Sequence, residues 1–114
     1  DSENEQYIKR LCRERINMAG KYIQLIGQDT RTKHKFVRWE LEVAIEKKCT
    51  IIGVNLDMSR QRNSDTCPPL MNDIGALFIP FSPKIIAYAL ANEVNEAKGN
   101  FHYKPEIYQS LGYS

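Results

Sequence analysis

The sequence predicts an α/β domain, a parallel sheet with helices on both faces. Three observations carry this expectation. Short apolar runs alternate along the chain with longer segments of helical periodicity. The run at residues 50–56 is apolar on both alternating faces, as a central parallel strand covered on both sides must be. Gly or Pro punctuates the segments at Gly20, Gly27, Pro80 and Gly99.

The elements follow in order. Ser2 and Glu5 have the spacing of a capping box, and Ile8, Leu11, Cys12, Ile16 and Ala19 recur at helical spacing behind them. A helix is expected over about residues 3–19, stopped by Gly20. Its other face carries Lys9, Arg10, Arg13 and Glu14, which reads as a solvated surface. Residues 21–27 form a short apolar run rich in β-formers and read as a strand. A polar loop over 28–35 leads to a second helix, with Phe36, Val37, Leu41, Ala44 and Ile45 on one stripe and Lys47 and Lys48 at its negative pole. The strand at 50–56 comes next, then a polar loop over 57–66, Cys67-Pro-Pro, and a short helical turn expected at 71–75. Residues 76–80 read as a third strand, closed by Pro80 where a missing N–H is tolerated. Ser82 as N-cap and Pro83 at the first position open a third helix, with Ile85, Ile86, Ala89, Leu90, Val94 and Ala97 on its apolar stripe. From Asn100 onward four aromatics, Phe101, Tyr103, Tyr108 and Tyr113, predict a segment packed on the domain surface, with one helical turn near 105–111.

Size and composition narrow the function classes. A chain of 114 residues, 42% hydrophobic and 26% charged, makes one globular domain. Sixteen basic against fourteen acidic side chains leave a net charge of +2, which argues against a dedicated nucleic-acid binder. No apolar run approaches the roughly 20 residues of a membrane span. Three cysteines, Cys12, Cys49 and Cys67, with no CxxC spacing, argue against a zinc site or a disulfide framework and read as reduced thiols of a cytoplasmic protein. Cys49 is expected in the core and Cys67, in a loop, as the more exposed thiol. No GxGxxG, GxxxxGK[ST], Ser/His/Asp set or HExxH is present, so dinucleotide redox, P-loop and zincin chemistry lack their residues.

Ligands of an open parallel sheet bind at the carboxyl ends of its strands. The loops to search are therefore 27–31, Asn55 with Asp57, and 80–82. The first is the richest: Gly27 permits a sharp turn, and Asp29, Thr30 and Arg31 gather an acceptor, a hydroxyl and a phosphate-binding fork, although the same residues also make ordinary loops. On the following helix Glu40 has Phe36, Val37 and Ala44 at i−4, i−3 and i+4, so it lies on or beside the buried stripe, unlike Glu42 and Glu46. A carboxylate there either pairs with Arg31, Lys33, Lys35 or Arg38 or does chemistry. Arg31, Lys33, His34, Lys35 and Arg38 form either an anion site at the helix start or a solvated cluster. Trp39 is about 100° around the helix from Glu40 and reads as a packing or interface residue.

Several runs resemble one known family. Ile-Lys-Arg-x-x-x-Glu-Arg-Ile from Ile8, Tyr-Ile-Gln-Leu-Ile-Gly-x-x-Thr from Tyr22, and above all FVRWELEVAIEKKCTIIGV from Phe36 resemble the TIR-like domain family of bacterial and archaeal proteins, which includes the TIR component of the Thoeris anti-phage defence system. The resemblance spans about residues 3–95 and implies a flavodoxin-like parallel sheet flanked by helices, with a TIR-like domain over 1–98 and a separate C-terminal tail over 99–114. It also implies an N-terminal strand-helix-strand unit ahead of the segment where this chain begins; a sheet without that unit would have an edge open to pairing.

The implied activity is cleavage of the nicotinamide–ribose bond of NAD, with NAD as substrate and neither cofactor nor metal. In some relatives a nucleotide signal made from ADP-ribose then activates an effector protein. Members share an aromatic-x-x-x-Glu pattern, carried here by Phe36 and Glu40; many have Trp where this chain has Phe36. Glu40 is the implied catalytic carboxylate, and Gly27, Asp29, Thr30, Arg31 and Phe36 the implied substrate-binding residues, with Arg31 or a neighbouring Lys on the pyrophosphate. Association into a homo-oligomer is expected, and neither nucleic acid nor membrane. The alternatives are a non-catalytic TIR-like adaptor that acts by protein association, through Trp39, the basic loop or the aromatic tail, and a flavodoxin-like module with an unrelated small ligand.

Overall fold

The computed structural model describes residues 20–28, 34–92 and 98–113, with the side chains of all but 34–37. Strands β1 (Lys21–Ile26), β2 (Thr50–Asn55), β3 (Ala76–Pro80) and β4 (Asn100–Phe101) form one sheet in the order β1-β2-β3-β4, and every neighbouring pair is parallel. Parallel neighbours need a crossover. Helix α1 (His34–Glu46) supplies it between β1 and β2, and α2 (Pro83–Ala91) lies between β3 and β4. A 3₁₀ turn, Pro69–Met71, interrupts the long β2–β3 connection, and α3 (Pro105–Ser110) follows β4. This is the α/β parallel-sheet fold that the sequence predicts. The expected helix over 3–19 lies outside the described residues.

The two faces of the sheet hold two cores. On one, Tyr22 and Ile26 of β1 pack with Leu41 and Ala44 of α1 and with Ile51, Met71 and Phe78. On the other, Ile52, Val54, Leu77 and Ile79 meet Ile85 and Ala89 of α2 and Tyr108 of α3. Register aligns Gln24 with Gly53, and Gly53 with Phe78. A Cβ on Gly53 would lie 2.9 Å from both Ile26 Cδ1 and Phe78 Cδ1, and 3.0 Å from Met71 Cε. The side chains of three elements close over the bare backbone there, and only Gly leaves them room.

Several expectations change. The aromatic C-terminal segment supplies a fourth strand, β4, and buries Tyr108 to 1% exposure, so it is part of the core and not only a surface covering. Helix α2 stops at Ala91 and not near Gly99. Asn92 leaves the helix in an extended conformation, φ −122° and ψ 128°, with its backbone N–H and side-chain Nδ2 both donating to the Tyr88 carbonyl. Val94 and Ala97 lie outside the described residues. Ser82 occupies the N-cap position, but its hydroxyl pairs with the Tyr113 hydroxyl at 2.5 Å and not with the helix backbone. The 3₁₀ turn begins at Pro69, two residues before the turn expected at 71–75, because Pro pre-sets the first helical φ. Cys67 is 2% exposed and Cys49 half-buried, the reverse of the expected order. The Pro-Pro turn folds Cys67 beneath the core with Met71. Ile45 and Leu90, expected on buried stripes, are 38% and 42% exposed at the stripe edges.

Candidate active site

The β1–α1–β2 crossover lays α1 across the face of β1 that carries Tyr22, Gln24 and Ile26. Glu40 sits beside Leu41 on the buried side of α1 and is 5% exposed. Carboxylates are seldom buried so far without partners. Its Oε2 accepts a 2.7 Å hydrogen bond from the Tyr22 hydroxyl. That hydroxyl also lies 2.7 Å from Gln24 Oε1. Gln24 Nε2 donates to the Leu25 carbonyl at 2.9 Å, which orients the amide so that its oxygen faces Tyr22. One phenolic proton therefore serves two acceptors. The second carboxylate oxygen, Oε1, is buried and has no hydrogen-bond partner among the described residues.

Of the four cations expected as partners of Glu40, Arg38 pairs instead with Glu42 at 2.9 Å, an exposed i,i+4 bridge on the solvent side of α1. Arg31 and Lys33 lie outside the described residues, as do the side chains of His34, Lys35 and Phe36. Asp29 and Thr30 lie outside them too. Gly27 is placed as expected, at the carboxyl end of β1.

Gly27 borders a cleft of about 650 Å³ at the carboxyl ends of β1 and β2, together with Ile26, Gln28, Leu56, Asp57 and Asp65. Asp57 accepts from the Ser59 N–H at 2.9 Å and from Asn63 Nδ2 at 2.8 Å. These bonds, the Ser59 N–H foremost, hold its carboxyl below the usual range and keep it anionic. The described lining of this cleft is thus acidic, suited to ribose hydroxyls. Glu40 is not part of that lining; it lies behind it, on the same face of β1 as Ile26.

Sequence reasoning singled out Glu40 and missed Tyr22 and Gln24. One signal was available. Tyr22, Gln24 and Ile26 share one face of a period-2 strand, so a buried Gln on that face needs a polar neighbour. What the strand alone does not give is which residue of α1 meets it.

The parallel sheet, with Glu40 buried on its first described crossover helix, defines an α/β parallel-sheet domain. A family model described as Thoeris protein ThsB, TIR-like domain, matches residues 1–61, more than half of the chain, and the chain belongs to that family. The matched region contains β1, α1, β2 and Glu40. No curated protein matches the chain. Among the described residues, no helix is long and apolar enough to cross a membrane.

Proposed function

We propose that this domain cleaves the bond between nicotinamide and ribose in NAD, as an NAD glycohydrolase or a synthase of an ADP-ribose signal in antiviral defence, with Glu40 as the catalytic carboxylate. The observation that carries the reading is the Glu40 side chain itself. It is nearly dry, tethered through one oxygen by Tyr22, and has its other oxygen uncommitted among the described residues. Breaking the glycosidic bond releases neutral nicotinamide and leaves positive charge on the ribose. A pre-oriented carboxylate stabilises that charge more effectively than water does, because it need not reorganise. Water then adds to the ribose carbon and loses a proton, giving ADP-ribose; attack by a ribose or base atom of the same nucleotide gives a cyclic product instead. Gly27, Asp29, Thr30, Arg31 and Phe36 are the proposed substrate contacts, in a homo-oligomer of the cytoplasm whose product acts on an effector protein.

The test is incubation of the full-length protein with NAD and its trigger, following nicotinamide by chromatography. Release by the wild type, lowered about 100-fold or more in Glu40→Gln, is expected. Equal release by the two proteins overturns the assignment.

A second reading, a non-catalytic adaptor, has its own observation. Leu56, Met58 and Phe81, on the loops after β2 and β3, are 48%, 53% and 51% exposed. Large apolar side chains gathered on neighbouring loops suit a protein contact. On that reading Glu40 is a structural partner of Tyr22, and Glu40→Gln leaves association intact.

A further inference from the structure

Helix α2 is capped from the C-terminal segment and not by its own first residue. Ser82 precedes the helix in an extended conformation, φ −148° and ψ 135°, and Pro83 follows it at the first helical position. A serine so placed ordinarily turns its hydroxyl back to accept from the second or third helical N–H, here those of Lys84 and Ile85. The Ser82 side chain makes no such bond. The Ile85 N–H donates instead to the Tyr113 hydroxyl at 3.3 Å, and the Ser82 hydroxyl lies 2.5 Å from the same phenolic oxygen. The bond with Ser82, and those from the Ile85 and Lys84 backbone, hold the Tyr113 hydroxyl below the usual tyrosine range.

Two hydroxyls therefore stand at one helix terminus. Tyr113 reaches it because the residues after α3 fold back. Gly112, at φ +95°, makes the turn. The Tyr113 N–H donates to the Tyr108 carbonyl at 2.9 Å, and the two rings meet edge-on with centroids 5.9 Å apart. The hold is local: Tyr113 is half-buried, whereas Tyr108 beneath it is 1% exposed. Ser82 needs only a side-chain rotation to accept from Ile85, since its backbone already has the extended conformation of a cap. When Tyr113 leaves, the helix donor thus gains a new acceptor, which offsets part of the cost of opening.

We propose that Ser82 and Tyr113 form an exchangeable cap, a two-position latch by which residues 111–113 open from α2 without disturbing the helix. In the closed position Tyr113 caps α2 and ties the C-terminal segment to the loop over 80–82. In the open position Ser82 caps its own helix and the segment is released. The latch sits just past the carboxyl end of β3, beside Phe81, which is 51% exposed, on the edge where open parallel sheets place ligands. Any contact there that turns the Ser82 hydroxyl onto its own helix weakens the hold on Tyr113, which couples this edge to the C-terminal segment.

The test is native-state hydrogen exchange of the full chain, read by NMR at the Ile85 and Tyr113 amides in wild type, Ser82→Ala, Tyr113→Phe and the double variant. Tyr113→Phe keeps the ring and removes only the oxygen. It is expected to speed exchange at residue 113 about tenfold and at Ile85 less than about twofold, because Ser82 takes over the cap. Ser82→Ala alone also leaves Ile85 within about twofold, because Tyr113 stays. The double variant removes both acceptors, and Ile85 exchange rises about tenfold or more, beyond the product of the single effects. Ile85 exchange raised about tenfold by Tyr113→Phe alone, or a double effect equal to that product, overturns the proposal. None of these readouts involves NAD, so the latch and the NAD reading fail separately.

Discussion

Replacing Tyr22 with Phe removes one oxygen from the interior and leaves the ring in place. The hydroxyl lies 2.7 Å from Glu40 Oε2 and 2.7 Å from Gln24 Oε1, so both acceptors lose their donor at once. Glu40 Oε1 already lacks a partner among the described residues, and after the change neither carboxylate oxygen has one there. A hydrogen bond to a charged group contributes about 1.5–3 kcal/mol and a neutral one about 1 kcal/mol. The expected loss is therefore roughly 2–4 kcal/mol, a large part of the 5–15 kcal/mol that a domain has. With a urea slope of about 2 kcal/mol per molar, the unfolding midpoint falls by about 1–2 M. Glu40→Gln keeps an acceptor facing Tyr22 but turns a charge-assisted bond into a neutral one. Combined in a double-mutant cycle, the two changes should couple by about 1 kcal/mol. A Tyr22→Phe loss below about 0.5 kcal/mol, or a cycle that is additive, would refute the claim that this hydroxyl tethers the carboxylate.

Three further outcomes are expected. Gly53→Ala places a methyl 2.9 Å from Ile26 Cδ1 and Phe78 Cδ1, and calorimetric melting should show a loss of roughly 1–3 kcal/mol. Burial, with Tyr88 and Tyr108 adding, pushes the Tyr103 hydroxyl up to about 12. Unfolded tyrosine ionises near pH 10, so the unfolded state sheds its proton first and stability falls as pH rises from about 10 to 12. Tyr103→Phe should flatten that decline in unfolding curves measured across the window. In native protein treated with iodoacetamide, Cys67 should stay unmodified until global unfolding. Cys49, half-buried and with its thiol pushed up by burial despite Lys47, should react slowly; peptide mass spectrometry distinguishes the two.

What the sequence made legible was local. The apolar neighbours of Glu40 at i−4, i−3 and i+4 follow from the helical period, and its burial follows from them. The strands at 21–27, 50–56 and 76–80 were legible because each is a short, mostly apolar run between turn or loop residues. What stayed hidden depends on residues far apart in the chain. Tyr22 finds Glu40 eighteen residues on, and only the crossover decides that they meet. Strand β4 is two residues long, too short for any period, and exists because Ala76 and Leu77 offer it an edge. Cys67 looked exposed because its neighbours are polar and prolyl, but the turn they make points it inward.

Asn55 links these observations. It ends β2, is 1% exposed, and its carbonyl accepts from the N–H groups of Met58 at 3.1 Å and Phe81 at 3.0 Å. Its side chain holds the two carbonyls that flank Arg60. Two residues on, Asp57 lines the acidic cleft; five on, Arg60 lines a second cleft, of about 440 Å³, with Tyr103 and Tyr108. A single loop thus borders two basins, one lined by Asp57 and Asp65 and one with no Asp or Glu in its described lining, and the buried Asn55 amide holds that loop. Open parallel sheets place ligands along this edge, and the segment beyond Gly99 adds Tyr103 and Tyr108 to the lining of the second basin. The C-terminal segment therefore supplies one wall of the second basin, and Glu40 belongs to the described lining of neither.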